Sequence, residues 1–272
     1  MVVSIAAKLG WKDISVRVGF AADMAARNAE RTKTAAKAKS KGEIFQLDSP
    51  PTRQDYYSDT SQTEFSATVL DCNSLSKIQI ESLNLSSEVV VTPTHYVVLD
   101  RTLFYPEGGG QLGDQGTLGK AKVVDTRIEN GVIYHLTNCS VEEGEISGQI
   151  DWERRRQLMD HHTAVHIVGG AARRLLGPHI YQAGANKSVD SARLDITHHK
   201  RLSRQDLDEI ESLANEVIQN VSRTEKMTLD RKDADRKYGF DLYQGGAPKG
   251  SDIRILRIAD HDIQACGGTH HD

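Results

Sequence analysis

Between Phe65 and Ile150 short apolar runs, FSATVLDC, VVVTP, YVVLD, AKVVDTRI, GVIYHL and EISGQI, are separated by turn residues. Runs of this kind, rich in β-branched and aromatic residues, read as strands. Several short strands with no helix between them predict a small antiparallel barrel. Beyond residue 150 the period changes. Leu158, Val165, Val168, Ala172 and Leu175 recur at helical spacing, which predicts a helix from Trp152 to Leu176 closed by Gly177-Pro178. Ser203 with Asp206 forms a capping box with Asp for the usual Glu, opening a second helix through Leu207, Ile210, Leu213, Ala214, Val217 and Val221. Ser191 to Thr197 alternates like a half-buried strand. Ile253 to Ile258 and Asp262 to Ala265 read as a hairpin turning at Ala259-Asp260. Helices laid on an antiparallel sheet predict an α+β fold behind the barrel.

Residues 20 to 41 are rich in Ala, Lys and Arg and contain no Gly or Pro, which predicts a helix ending at Gly42. Pro50-Pro51 marks a linker. The expected organisation is a basic helical arm and linker over 1–60, a β-barrel over 61–150 and an α+β domain over 151–272. Charge supports a distinct arm, because residues 1 to 42 hold nine Lys/Arg against three Asp/Glu while the whole chain carries −4. Such a segment either tracks phosphates or is a solvated helix face.

No apolar run approaches the roughly 18 residues of a spanning helix, and Val2 to Ala7 is too short for a signal-peptide core. The three scattered cysteines, Cys72, Cys139 and Cys266, make no disulfide framework. These features predict a cytoplasmic protein with no membrane association.

The chemistry sits in two short stretches, His162-Thr-Ala-Val-His166 and Cys266-Gly-Gly-Thr-His270. Two His four apart on a helix project from one face about one turn apart and can share a metal ion. Gly267 and Gly268 break any helix, so a sharply turning loop must bring Cys266 and His270 together. A thiolate with imidazoles favours Zn²⁺ over Mg²⁺ or Ca²⁺. With 11 His in 272 residues, about 0.4 such His pairs arise by chance, so the pair alone is weak and the Cys-His pair strengthens it. The other unusual stretch is TLFYPEGGGQLGD, Thr102 to Asp114. Its consecutive glycines, 108 to 110, either form a flexible loop or let a ligand approach the backbone closely.

TLFYPEGGGQLGDQG, RRRQLMDHHTAVH, QAGANKSVDSARLDITHHKRL, KYGFDLYQGG and CGGTH, in that order, resemble the editing region of alanyl-tRNA synthetase of the archaeal type, shared with the freestanding AlaX-type deacylases. The preceding PPTRQDYYSD resembles the archaeal junction, and residues 1 to 48 the end of a tRNA-recognition domain. The resemblance implies a zinc-containing deacylase that hydrolyses Ser-tRNA(Ala) or Gly-tRNA(Ala). It implies zinc ligands at His162, His166, Cys266 and His270, and pocket residues at Thr102 and Gln111. Thr102 either reads the serine hydroxyl or bonds its own backbone at a strand end. Whether the metal activates water or orients the substrate stays open, since four protein ligands favour positioning. No aminoacylation domain is recognisable. The chain stops at Asp272 where relatives continue, so an unpaired edge is expected at the last hairpin. Two other readings are a tRNA-binding module with a structural zinc and the editing domain of threonyl-tRNA synthetase; FYPEGGGQ argues against the latter.

Overall fold

The computed structural model describes residues 44–45, 49–220, 224–244 and 250–271. The helix expected over 20–41 lies outside them, as does Val221. The chain divides into two units after Gln46, and the features below belong to the second.

Among the described residues, thirteen strands and four α-helices follow in order. They are β1 (Arg53–Gln54), β2 (Glu64–Ser74), α1 (Lys77–Leu83), β3 (His95–Leu99), β4 (Arg101–Thr102), β5 (Gly116–Leu118), β6 (Ala121–Glu129), β7 (Val132–Thr137) and β8 (Gly144–Ile150). Then come α2 (Trp152–Leu176), β9 (Gln182–Lys187), β10 (Ala192–Ile196), α3 (Arg204–Asn220), β11 (Thr224–Asp230), α4 (Arg231–Tyr238), β12 (Asp252–Ile258) and β13 (Asp262–Ala265).

Six strands close on themselves as a barrel in the order β2-β3-β7-β6-β5-β8, every pairing antiparallel. Alternation along β2 sends Phe65, Ala67 and Val69 inward to meet Val97, Leu99, Leu103, Phe104, Leu118 and Val123. The β6–β7 turn is Asn130-Gly131, both with positive φ (52° and 84°), the geometry a tight hairpin requires. Two expectations fail here. VVVTP is not a strand, and Val90 is 91% exposed, because that segment runs through turn and irregular backbone into Pro93. A helix does interrupt the strands: α1 starts at a capping box in which Ser76 and Gln79 satisfy each other's backbone N–H.

The remainder is a mixed layer of helices and two antiparallel sheets, β9–β10 and β11–β12–β13. The Ser203–Asp206 capping box forms as expected, with Ser203 N donating to Asp206 Oδ2 at 2.7 Å and Asp206 N to Ser203 Oγ at 3.1 Å. Ile167, Ala171 and Ala172 of α2 pack on Ile210, Ala214 and Val217 of α3 and on Leu256 and Ile258. Val168 and Leu175, expected on that face, are 37% and 43% exposed. At 100° per residue they lie about 60–80° round the helix from Val165, off the stripe that reaches the core. Strands β9 and β11 were not anticipated. Among the described residues, no helix is long and apolar enough to cross a membrane.

A buried ion pair joins the two parts. Arg155, in the first turn of α2, donates from Nε to both carboxylate oxygens of Asp114 (3.0 and 2.9 Å) and from Nη2 to Leu103 O (2.6 Å). Asp114 also accepts from Tyr105 N at 2.6 Å, and neither charged side chain is exposed. Removing one partner leaves the other charge buried and uncompensated. Arg155→Met is therefore expected to cost about 3–5 kcal/mol of unfolding free energy. Arg53→Met, breaking the surface pair with Asp55, should cost less than about 1 kcal/mol. Chemical denaturation of both variants checks the contrast, and equal losses would refute it.

Candidate metal centre

Helix α2 presents His162 and His166 one turn apart, their rings stacked with centroids 5.3 Å apart. Strand β13 delivers Cys266 directly past its end, and the loop brings His270 back, so that four ligand-capable atoms lie within 4.8 Å of one another. Cys266 Sγ is 3.5 Å from His162 Nε2 and 3.2 Å from His270 Nε2. A tetrahedron with metal–nitrogen bonds near 2.0 Å and metal–sulfur bonds near 2.3 Å has edges of roughly 3.3–3.6 Å. The donor set thus fits a divalent ion that accepts thiolate and imidazole.

Two of the imidazoles have a hydrogen-bonded outer partner, and the third, His166, faces a carboxylate without a hydrogen bond. His162 Nδ1 donates to Gln111 Oε1 at 2.7 Å, which leaves its Nε2 lone pair toward the sulfur. His270 Nδ1 meets Thr163 Oγ1 at 3.3 Å, and His166 Nδ1 lies 3.5 Å from Asp262 Oδ2. Gln111 ties the halves together, since its Nε2 also donates to Thr269 Oγ1 at 2.8 Å. Gly268 is required for space: a Cβ there would sit 2.1 Å from His162 Cε1. The sharp turn expected of these glycines is secondary to that contact.

The glycine-rich loop is held by the protein itself. Gly110 has φ +80°, and a Cβ on it would meet Ala185 O at 2.1 Å, so the close backbone approach is that of β9. Lys187 N donates to Gly110 O (2.7 Å), Leu112 N to Lys187 O (3.2 Å), and Lys187 Nζ to Gly109 O (2.7 Å). Gln111 is carried on this pinned loop.

His162, His166 and Cys266 border a cavity of about 320 Å³ whose wall includes Tyr57, Glu107, Lys187 and Gln182. Tyr57 donates to Gly267 O at 2.6 Å and lies under the Arg254 guanidinium, 4.4 Å from its ring. Burial pushes the Lys187 ammonium below its ordinary pKa, and the Cys266 thiolate works the other way. Thr102 lies elsewhere. It is fully buried and does not line the cavity; its Oγ1 accepts from Phe104 N at 3.0 Å and pairs with His135 Nε2 at 2.8 Å. Tyr57, Lys187, Thr163, Arg254 and Asp262 were not singled out from sequence. Lys187 and Thr163 at least lie inside the quoted motifs, whereas Arg254 and Asp262 lie in a hairpin read only for its apolar positions.

Burial alone would raise the Cys266 thiol, but His162, His270 and His166 hold it well below its ordinary value. Burial drives His162 down and His270 to about 3. It also opposes charge on His166, yet the Cys266 thiolate and Asp262 outweigh it and hold that imidazole at about 9. Without metal, the cluster keeps a thiolate beside an imidazolium. Zn²⁺ binding near pH 7.5 should therefore release about one proton, lost from His166, with the thiolate already formed. Calorimetry in buffers of different ionisation enthalpy measures this, and release of two protons would mean the thiol starts protonated.

The family model described as tRNA synthetases class II (A) matches residues 4–154. An Alanine--tRNA ligase of Halorubrum lacusprofundi is 42% identical over 275 residues, 99% of this chain and 28% of that protein. That of Halobacterium salinarum is 43% identical over 275 residues, again 99% and 28%. That of Methanopyrus kandleri is 44% identical over 229 residues, 82% of this chain and 23% of that protein. The chain thus spans about a quarter of the length of the curated relatives it matches. With a family model covering more than half of it, the chain belongs to the class II (A) tRNA synthetases and corresponds to a region of an alanyl-tRNA synthetase.

Proposed function

We propose that this chain is the editing part of an alanine–tRNA ligase, hydrolysing the ester of serine or glycine wrongly joined to tRNA(Ala), with Zn²⁺ on His162, His166, Cys266 and His270. The observation that carries the reading is that His162, His166 and Cys266 line an open cavity. A purely structural zinc is usually enclosed by protein. In the reaction, the oxygen of water bonds to the acyl carbon and the ester C–O bond breaks. The ribose oxygen leaves with a proton, giving free amino acid and uncharged tRNA. Held by four protein ligands, a bound zinc ion would chiefly position the aminoacyl end, and it would supply Lewis acidity only by taking a fifth ligand. Gln111 orients His162, and Lys187 sets a positive charge on the cavity wall where an anionic group of the aminoacyl end can be held. A second site is needed because a pocket shaped for alanine cannot strongly reject glycine or one added hydroxyl.

The second reading, a tRNA-binding module with a structural zinc, is favoured by one feature: four protein ligands complete a tetrahedron and leave no open position. Deacylation of Ser-tRNA(Ala) with and without chelator separates the two. Hydrolysis abolished by chelator is expected, and binding without hydrolysis would establish the second reading. Gln111→Ala should cost about 10–100-fold in metal affinity or activity, as loss of an outer partner of a metal ligand does.

Thr102 takes a supporting place in this reading, because its hydroxyl is committed to His135 and Phe104 N inside the barrel. Thr102→Val should slow hydrolysis of Ser-tRNA(Ala) and Gly-tRNA(Ala) by the same factor and lower stability by about 1–3 kcal/mol, the cost of leaving buried polar partners unmet. A loss confined to the serine substrate would restore the serine-reading role.

A further inference from the structure

A second group of imidazoles stands outside the site just described. His179, in the connection between α2 and β9, and His198 with His199, just past β10, each offer one nitrogen, and the three lie within 4.8 Å of one another. His179 Nε2 is 2.9 Å from His198 Nδ1, and the two rings stack with centroids 5.1 Å apart. His199 closes the group, its ring centroid 4.5 Å from that of His198. The arrangement is built. Thr197 Oγ1 donates to His179 O at 2.7 Å and accepts from Tyr181 N at 2.8 Å, which locks the backbones carrying the histidines side by side. His198 Nε2 is buried without a hydrogen-bond partner.

We propose that His179, His198 and His199 form a second metal site, for an imidazole-preferring divalent ion of the Ni²⁺, Cu²⁺ and Zn²⁺ class. Three nitrogens with no carboxylate among them disfavour Mg²⁺ and Ca²⁺. The 2.9 Å separation is that of an N–H···N hydrogen bond between the two rings, and it also lets both nitrogens reach one ion at bonds of about 2.0–2.1 Å. Ligation needs neutral rings. Limited burial together with His199, His179 and Lys200 lowers the His198 pKa, against the pull of Asp206, which favours the neutral ring there.

The place of the group suggests what the ion does. His179 precedes β9 and His198 follows β10, so an ion would clip the open end of this two-stranded sheet. A lone hairpin is marginal in water, and this one braces the glycine-rich loop through Lys187. Occupancy should therefore slow hydrogen exchange along β9 and β10.

The test uses the untagged full chain, stripped of metal and equilibrated with Ni²⁺. His198→Ala and, separately, His179→Gln should each lower the bound Ni²⁺ by one per chain, or weaken one site more than tenfold. They should also abolish the Ni²⁺-dependent protection of β9 and β10. Absorption from a Co²⁺–thiolate bond at Cys266 reports on the first centre and on folding. Should His198→Ala disturb that band, His179→Gln, an exposed change, decides. Unchanged Ni²⁺ stoichiometry and affinity in a variant that keeps the Co²⁺–thiolate band overturns the proposal. So does loss of every bound ion in Cys266→Ser.

Discussion

The Arg155–Asp114 pair is the constraint on which the rest of the structure depends. It sets the start of helix α2 against the end of the glycine-rich stretch, and His162 stands two turns further along that helix. A guanidinium with no solvent contact tolerates few positions, so the pair fixes the axial placement and rotation of α2. It is joined by Arg154, which donates to Gly113 O at 3.2 Å and to Glu88. Burying these charges is expensive, and a well-packed apolar pair could hold the interface as strongly. What apolar packing would not supply is direction, and the 2.7 Å contact between Gln111 and His162 depends on direction.

Space is the second constraint. Gly110 and Gly268 are needed because something else occupies the place of a side chain: the Ala185 carbonyl in one case, the His162 ring in the other. Flexibility would be a poor reason for glycine beside a metal centre, where ligand atoms must stay within a few tenths of an ångström. The loops are rigid because their glycines allow them to be crowded.

Much of this was legible in the residues. Five of the six barrel strands, both long helices, the Ser203 capping box and the final hairpin follow from periodicity and turn chemistry, because each is a local pattern coupled to burial; the three-residue β5 was not read. Val89 to Pro93 misled because β-branched composition alone does not make a strand without a partner to pair with. Strands β9 and β11 escaped because QAGANK and TEKMTLD lack an apolar alternation; β9 has one partner strand and β11 lies at the edge of its sheet. Spacing brought His162, His166, Cys266 and His270 to attention as candidate ligands, and they converge. The places of Thr102 and Lys187 were not legible, since whether a side chain at a strand end faces a cavity or the barrel interior depends on register, which a single sequence leaves open.

The centre also joins positions far apart along the chain. His162 and Cys266 are separated by 104 residues, and the intervening chain contains β9 through β13 and two helices. A contact of such long range forms late, after the loop-closure entropy of everything between has been met. An ion held there would act as a cross-link that can be made only by a correctly threaded chain. The complete four-ligand centre exists only once the hairpin has docked on α2, so ion binding at full strength is coupled to folding of the α+β layer.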